Sequence, residues 1–165
     1  MVCVRLVHRF WYNLIMLKIK NKAPSFKLPD QDGNIHNLKD YLGKKVLLYF
    51  YPKDDTPGCT TEACNFRDGY KDFKKLGLVI LGVSADSVKS HKKFAEKFKL
   101  PFPLLSDEDK SVCEKYGVWQ KKKFMGREYM GIVRSSFLID EEGKIEKIYE
   151  EVKAGDHAEE VKSDL

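Results

Sequence analysis

The feature that most constrains the fold of this chain is an apolar run that leads through a turn into a cysteine-bearing helix pattern. Residues 46–51 read Val-Leu-Leu-Tyr-Phe-Tyr, a continuous apolar stretch typical of a central strand covered on both faces. Residues 52–58 then supply two prolines and a glycine, which favour a shaped turn. The helix pattern that follows carries Cys59 in its first turn and Cys64 five residues later. This order indicates a strand–turn–helix unit of an α/β fold.

The same alternation continues along the chain. Further strands are predicted at residues 78–83, 101–105, 132–139 and 144–149, and helices at residues 56–76, 88–99, 108–116 and 157–165, with Ser87 and Asp107 as the N-caps of the second and third of these helices. A turn flanked by short apolar segments predicts an N-terminal hairpin at residues 26–38, and residues 120–131 are predicted to be a loop or irregular arm. Together these elements predict an α/β, thioredoxin-like, three-layer sandwich with a mixed central sheet and an N-terminal hairpin.

Composition and charge limit the classes of partner. A chain of 165 residues with 42% hydrophobic and 33% charged residues predicts one globular domain. The net charge of +5 is modest, so the basic run at residues 121–123 is predicted to be solvated rather than a nucleic-acid surface. No run of about 18 apolar residues occurs, so no membrane-spanning helix is expected. The four cysteines lack the spacing of a secreted disulfide framework, which favours a reducing compartment, the cytoplasm. A monomer is expected.

Residues 1–15 differ from the rest of the chain. They are basic and apolar, contain no acidic residue and precede a second methionine, Met16. They lack the long apolar core and the small-residue cleavage site of a signal peptide. A start codon assigned too early, a targeting peptide and an extra strand or helix all fit this pattern, and we favour the first. The predicted domain is therefore residues 16–165.

The two neighbouring cysteines have different settings on their predicted helix. Cys59 lies in the first turn, where free backbone N–H groups and the helix dipole favour a thiolate, the reactive form of cysteine. Its side chain starts an apolar stripe, whereas Cys64 lies about 140° away on the solvent face. Residues five apart in an intact helix have Cα atoms roughly 8–9 Å apart, beyond the reach of a disulfide. A bond between these cysteines would therefore require the helix to unwind.

The other candidate residues are predicted to be structural. Cys113 is expected to be a packed, inert thiol and His91 a partly buried structural histidine. His36 is predicted to be exposed on a strand, and His157 to begin a helix without a chemical role. A zinc site built from the three cysteines of residues 59–113 and a histidine matches no common ligand spacing. No metal or cofactor is predicted.

Several separated motifs resemble one family. Pro52-x-x-x-Thr56-x-x-Cys59 resembles the active-site motif of the peroxiredoxins, and the longer Tyr-Pro-Lys-Asp-Asp-Thr-Pro-Gly-Cys-Thr-Thr-Glu-Ala-Cys resembles their bacterioferritin-comigratory, or Q-type, branch. The likeness covers about residues 16–163 and continues, in the family's order, through the segments 105–109, 116–119, 124–126 and 134–140.

This resemblance implies a role for each matching residue. Cys59 would be the peroxidatic cysteine and Cys64 the resolving cysteine. Pro52 would shield the pocket and Thr56 would hydrogen-bond the thiolate and the peroxide. Arg134 would hold the thiolate and polarise the O–O bond, which agrees with the need to stabilise charge on the leaving oxygen.

The implied activity is that of a thiol peroxidase. It would reduce hydrogen peroxide and organic hydroperoxides through a sulfenic acid at Cys59, followed by a Cys59–Cys64 disulfide that thioredoxin reduces. Two alternatives remain at this point: a general thiol–disulfide oxidoreductase, which the absence of Cys-x-x-Cys disfavours, and a redox-sensing or zinc-binding module without turnover.

Overall fold

The computed structural model describes residues 17–165, so the predicted extension at residues 1–15 lies outside the described part and stays a prediction. The strands are β1 (Lys27–Pro29), β2 (Ile35–Asn37), β3 (Lys45–Phe50), β4 (Leu78–Ser84), β5 (Leu104–Ser106), β6 (Trp119–Phe124), β7 (Arg127–Ile132), β8 (Ser135–Ile139) and β9 (Ile145–Tyr149). The helices are α1 (Pro57–Asp68), α2 (Tyr70–Lys75), α3 (Val88–Phe98), α4 (Ser111–Lys115) and α5 (His157–Ser163), with a 3₁₀ turn at Leu38–Tyr41.

The central sheet is mixed, as predicted. Its strand order is β5-β4-β3-β8-β9, with β3, β4 and β5 parallel and with β8 and β9 antiparallel to their neighbours. The N-terminal hairpin pairs β1 with β2, and a separate hairpin pairs β6 with β7. The thioredoxin-like α/β sandwich is therefore confirmed.

The continuous apolar pattern of β3 results from burial on both faces of the sheet. Val46, Leu48 and Phe50 pack into one core cluster with Cys113, whereas Leu47 and Tyr49 pack into a second cluster on the opposite face. This second cluster takes side chains from α1, α2, α3 and α5. Because successive side chains of a strand point to opposite faces, the two clusters form separate layers on either side of the sheet. Cys59 belongs to the second cluster.

The helix predicted over residues 56–76 is interrupted. It divides at Gly69 into α1 and α2, and the Gly69 N–H closes the first helix on Asn65 O at 3.1 Å. Glycine is about 1 kcal/mol less favourable than alanine inside a helix, which makes this position the weak point of the long apolar stripe. The ring of Phe73 also packs so near that a Cβ at Gly69 would lie 3.0 Å from it.

The prediction of an irregular arm at residues 120–131 is wrong. The segment forms the β6–β7 hairpin, whose connection, Met125 and Gly126, has positive φ at both residues (48° and 78°). Such two-residue turns match the twist of paired strands. Most of the hairpin's side chains are exposed on both faces, so it has no alternation of apolar and polar residues to reveal its strands.

Of the two predicted helix caps, Ser87 is confirmed and Asp107 caps a shorter helix than predicted. The Ser87 side chain caps α3 as predicted, accepting from Ser90 N at 3.1 Å. Asp107, predicted to begin a helix at residue 108, instead accepts from Val112 N and Cys113 N of a shorter α4. Within residues 17–165, no helix has both the length and the apolar character that a bilayer crossing demands.

Candidate active site

Cys59 lies in the first turn of α1, with only 2% of its surface exposed. Thr56 is the N-cap, and the first intrahelical hydrogen bond runs from Thr60 N to Thr56 O at 2.8 Å. Because Pro57 has no N–H, the free donors at this helix end are the backbone N–H groups of Gly58 and Cys59. These donors and the helix dipole favour negative charge at the sulfur.

Arg134 provides the positive charge of the site. Its Nη2 donates to the Cys59 Sγ at 3.2 Å, and its Nη1 donates to Glu62. Burial lowers the Arg134 pKa, but the neighbouring Glu62 and Cys59 outweigh burial and raise it, so the guanidinium stays charged. Gly58 permits this approach, because a Cβ there would lie 3.2 Å from the Arg134 Nη2.

The position of Arg134 differs from the prediction in one respect. We predicted a strand running through residues 132–139, but Arg134 lies in the short connection between β7 and β8. Its backbone carbonyl accepts from Val152 N at 3.0 Å, which ties this connection to the segment after β9. The guanidinium therefore extends from a connection that is anchored on both sides.

Glu62 is a site residue that the sequence analysis missed. Its side chain is 1% exposed and pairs with Arg134, and its Oε1 has no hydrogen-bond partner among the described residues. Burial raises the Glu62 pKa to about 7, although Arg134 lowers it. A charged residue three positions after Cys59, on the apolar face of the helix, was the available signal.

Pro52 and Thr56 lie in the loop between β3 and α1, and both are half-buried. The Thr56 hydroxyl donates to Lys53 O at 2.8 Å, so its hydrogen stabilises the loop rather than pointing to the sulfur. Its oxygen lone pairs remain free to accept a hydrogen bond. The predicted donation from Thr56 to the thiolate would therefore require the hydroxyl to rotate.

Cys64 is a half-buried free thiol about one and a half turns further along α1. In an ideal helix its Cα lies roughly 8–9 Å from that of Cys59, too far for a disulfide. Beyond Cys64 the helix is anchored by Asn65 Nδ2, which donates to Gly155 O at 3.1 Å, and by Arg67 Nη1, which donates to Phe98 O at 2.7 Å.

Cys113 has a very different environment. It is fully buried in the core cluster on the other face of the sheet, so it is not brought together with Cys59. Burial, and then the carboxylate of Asp107, raise the pKa of the Cys113 thiol far above its usual range. The structure therefore supports an inert Cys113 and does not form the zinc site considered from the sequence.

The histidines are more buried than predicted. His36 is not exposed, since its ring bonds Asp30 Oδ2 at 2.8 Å and contacts the Tyr41 hydroxyl. His91 is completely rather than partly buried. His157 begins α5 as predicted, but it is also buried, and burial followed by the charge of Arg134 lowers its pKa to about 4. His157 is therefore neutral at physiological pH.

A thioredoxin-like sheet with a buried cysteine at a helix N-terminus, paired with a buried arginine, defines a thiol-dependent redox enzyme. The family model that matches residues 19–148 is the AhpC/TSA family. A putative peroxiredoxin Bcp of Coxiella burnetii is 54% identical over 145 residues, which is 88% of this chain and 96% of that protein. The peroxiredoxin Bcp of Escherichia coli K12 is 53% identical over 86% of this chain and 90% of its own length.

Solved structures agree with these relatives. A cysteine-to-serine mutant of Xylella fastidiosa PrxQ matches with a TM-score of 0.86 and 37% identity, covering 90% of this chain and 95% of that one. The chain therefore belongs to the AhpC/TSA family and, within it, to the Bcp or Q-type peroxiredoxins. Peroxiredoxins are peroxidases, so the predicted enzyme class, a peroxidase, is confirmed. The alternative of a redox-sensing or zinc-binding module without turnover is not supported.

Proposed function

We propose that Cys59 is the peroxidatic nucleophile of a thiol peroxidase that acts on hydrogen peroxide and organic hydroperoxides. The observation that carries the proposal is the 3.2 Å contact between the Arg134 Nη2 and the Cys59 Sγ at the N-terminus of α1. The guanidinium and the free N–H groups of the first turn form a fixed positive surface around a buried sulfur. Such a surface stabilises both a thiolate and the charge that develops as it reacts.

The first chemical step follows from this geometry. The Cys59 thiolate attacks one peroxide oxygen, so that an S–O bond forms while the O–O bond breaks. The electron pair of the broken bond stays on the leaving oxygen, which takes a proton and departs as water or alcohol. Arg134 and the N–H donors stabilise the developing charge, and Pro52 shields the pocket from bulk water. Cys59 is left as a sulfenic acid.

The second step uses Cys64. Its sulfur attacks the sulfenic sulfur, an S–S bond forms, and the hydroxyl leaves as water with a proton. Because the two Cα atoms are too far apart in the intact helix, the first turns of α1 must unwind before this step. The anchors at Asn65 and Arg67 lie beyond Cys64, so the segment that must open is the N-terminal half of α1.

An external dithiol completes the cycle. Thioredoxin, or a similar dithiol, reduces the Cys59–Cys64 disulfide by thiol–disulfide exchange, which returns both cysteines to thiols. Such reductants belong to a reducing compartment, so we place the enzyme in the cytoplasm. Both reacting cysteines come from one helix of one chain, so the cycle needs no second copy and fits a monomer.

A pair of cysteine variants tests the assignment. Cys64→Ser should consume one equivalent of peroxide per chain and then stop as a sulfenic acid at Cys59, trapped with a dimedone reagent and located by peptide mass. Cys59→Ser should consume none. Steady peroxide turnover by Cys59→Ser, or an efficient Cys59–Cys113 disulfide in Cys64→Ser, would contradict the respective role.

A further inference from the structure

A buried polar network lies next to the active-site loop and is not used by the chemistry above. Its centre is Asp54, between Pro52 and Thr56 in the loop that precedes Cys59. The Asp54 Oδ1 accepts from the Tyr51 hydroxyl at 2.7 Å. Its Oδ2 lies 2.7 Å from the Ser90 hydroxyl, which donates to it, and 2.8 Å from the His91 Nδ1.

The hydrogen-bond partners of His91 hold its ring on both sides. The Nε2 lies 3.1 Å from Leu105 O, and the Nδ1 faces the Asp54 carboxyl group, which already accepts from two hydroxyl groups. Both side chains of the Asp54–His91 pair are buried. Removing one member therefore leaves a buried polar group without its partner, which is costly in the interior.

The same network also fixes the loop backbone. Asp54 N donates to Asp86 Oδ2 at 2.9 Å, and the Ser84 hydroxyl at the end of β4 donates to the same oxygen at 2.6 Å. The next residue, Asp55, has a left-handed φ of 55°, a conformation that costs a non-glycine residue about 1–2 kcal/mol. Such a conformation persists only when the surrounding structure holds it in place.

The three ionisable groups Asp54, Asp86 and His91 lie close enough together to suggest a metal site. The Asp54 and His91 ligand atoms, however, already bond each other, and the Asp86 carboxylate already accepts from the Asp54 N–H and the Ser84 hydroxyl. The cluster is therefore better explained as a fully connected hydrogen-bond network that links the loop to β4, α3 and β5.

We propose that the buried Asp54–His91 pair is a positioning pair that holds the 52–56 loop in the shape needed for reaction of Cys59 with peroxide. The proposal rests on the proposed function, because it requires Cys59 to be the nucleophile. Asp54 lies two residues before Thr56 and five before Cys59, so a shift of its anchor moves the N-cap and the first free N–H groups of α1. Peroxide must meet these donors and the sulfur in one geometry, whereas a simple alkylating agent needs only the thiolate, which Arg134 still contacts from outside the loop.

The test compares two reactions of Cys59 in a Cys64→Ser background. Asp54→Asn and His91→Gln are each added, and the rates of sulfenic acid formation with hydrogen peroxide and of alkylation with iodoacetamide are measured. We expect the peroxide rate to fall by about tenfold or more in each variant, since misplacement by about 1 Å can cost about 100-fold. The alkylation rate should change by less than about threefold, because the charge of Arg134 stays beside the sulfur and continues to stabilise the thiolate.

Lys97→Gln is the matched control. Lys97 is also on α3 and contacts the same loop, because its Nζ lies 2.7 Å from the Asp55 carboxylate, but this ion pair is exposed. Exposed ion pairs contribute little, so both rates should match those of the parent. Circular dichroism melting establishes that each variant is folded at the assay temperature, and either network variant that is folded decides the question.

The outcomes are distinct. A selective loss of the peroxide reaction in a network variant supports the positioning role. A peroxide rate within about twofold of the parent overturns it. A parallel fall of the peroxide and alkylation rates also overturns it, because a purely structural role lowers both rates and leaves their ratio unchanged. If the Cys64→Ser parent forms no sulfenic acid at Cys59, the proposed function itself fails and the positioning role falls with it.

Discussion

Cys59 and Cys113 are each the third residue of a helix, and each is almost completely buried. They lie on opposite faces of the sheet and have opposite neighbours. The Cys59 sulfur lies 3.2 Å from the Arg134 guanidinium, whereas Asp107 folds back over the first turn of α4 and its carboxylate accepts from the Cys113 N–H at 2.7 Å. The carboxylate takes the place at the helix end that a thiolate would need.

This comparison shows that neither burial nor a helix N-terminus alone makes a cysteine reactive. At α4 the free N–H groups are already used by Asp107, and burial with that carboxylate keeps Cys113 a neutral thiol. At α1 no carboxylate of the described residues accepts from the first-turn N–H groups, and the charged Arg134 donates to the sulfur of Cys59. The sign of the neighbouring charge, and the use of the helix-end donors, separate the two thiols.

The largest expected effect is the loss of Cys59. Cys59→Ser should abolish peroxide consumption while the protein stays folded, because a buried serine hydroxyl cannot supply the thiolate nucleophile. The assay is peroxide turnover with a thioredoxin system at matched protein concentration. Turnover above a few per cent of the parent would mean that another thiol carries the reaction.

The second largest effect is expected from removing the positive charge beside Cys59. Arg134→Met should slow sulfenic acid formation by about 100- to 1,000-fold, the range for losing a donor aimed at developing charge. Stopped-flow measurement in the Cys64→Ser background isolates this step from resolution. Arg134→Lys, which keeps the charge but loses the planar fork, should recover part of the rate. A rate equal to that of the parent would show that the helix end is sufficient.

Many of the structural elements around Cys59 are predictable from local sequence patterns. The apolar run at residues 46–51 predicted a doubly covered strand, and the proline-rich turn before Cys59 predicted a helix start. Ser87 was a recognisable cap, because the side chain of a cap and the N–H it accepts from are only three residues apart. Such features depend on neighbours in the chain, so the sequence displays them directly.

Other features depend on distant partners and were missed. Glu62 is visible in the sequence only as a charged residue on the apolar face of its helix, and its partner Arg134 lies 72 positions later. Asp54 and His91 are 37 positions apart, and no periodic pattern connects them. The β6–β7 hairpin was hidden for another reason: its charged, two-sided exposure leaves no alternation. Long-range polar pairs and exposed strands are therefore the features of this chain that local sequence patterns do not predict.

A pH effect should follow from Glu62. Its pKa is about 7 in the helix and returns to its ordinary value near 4.5 when α1 unwinds into water. Protonation of Glu62 therefore favours the helical form over the unwound form most strongly below about pH 4.5. This contribution, roughly 3 kcal/mol in free energy, is lost as the pH rises to about 7.

Hydrogen exchange of the α1 amides in the reduced protein measures this effect. Opening of the helix should become easier between pH 4.5 and 7 in the parent. Glu62→Gln should remove most of that slope, because glutamine does not titrate. After correction for intrinsic exchange, equal slopes in the two proteins would exclude Glu62 as the titrating group.

The smallest expected effect is at the second buried thiol. Cys113→Ser should keep the peroxide rate within about twofold of the parent, with a modest loss of stability from placing a hydroxyl in an apolar site. Thermal melting and peroxide turnover on the same sample separate these effects. A large loss of turnover at full folding would remove the contrast between the two cysteines.

The most direct test of the account is the product of a single turnover. The reduced protein is treated with one equivalent of hydrogen peroxide, and its intact mass and disulfide-linked peptides are measured without reductant. We expect a mass lower by two hydrogens and a peptide bridge between Cys59 and Cys64. A bridge that includes Cys113, or a stable oxygen adduct at a cysteine other than Cys59, would contradict it.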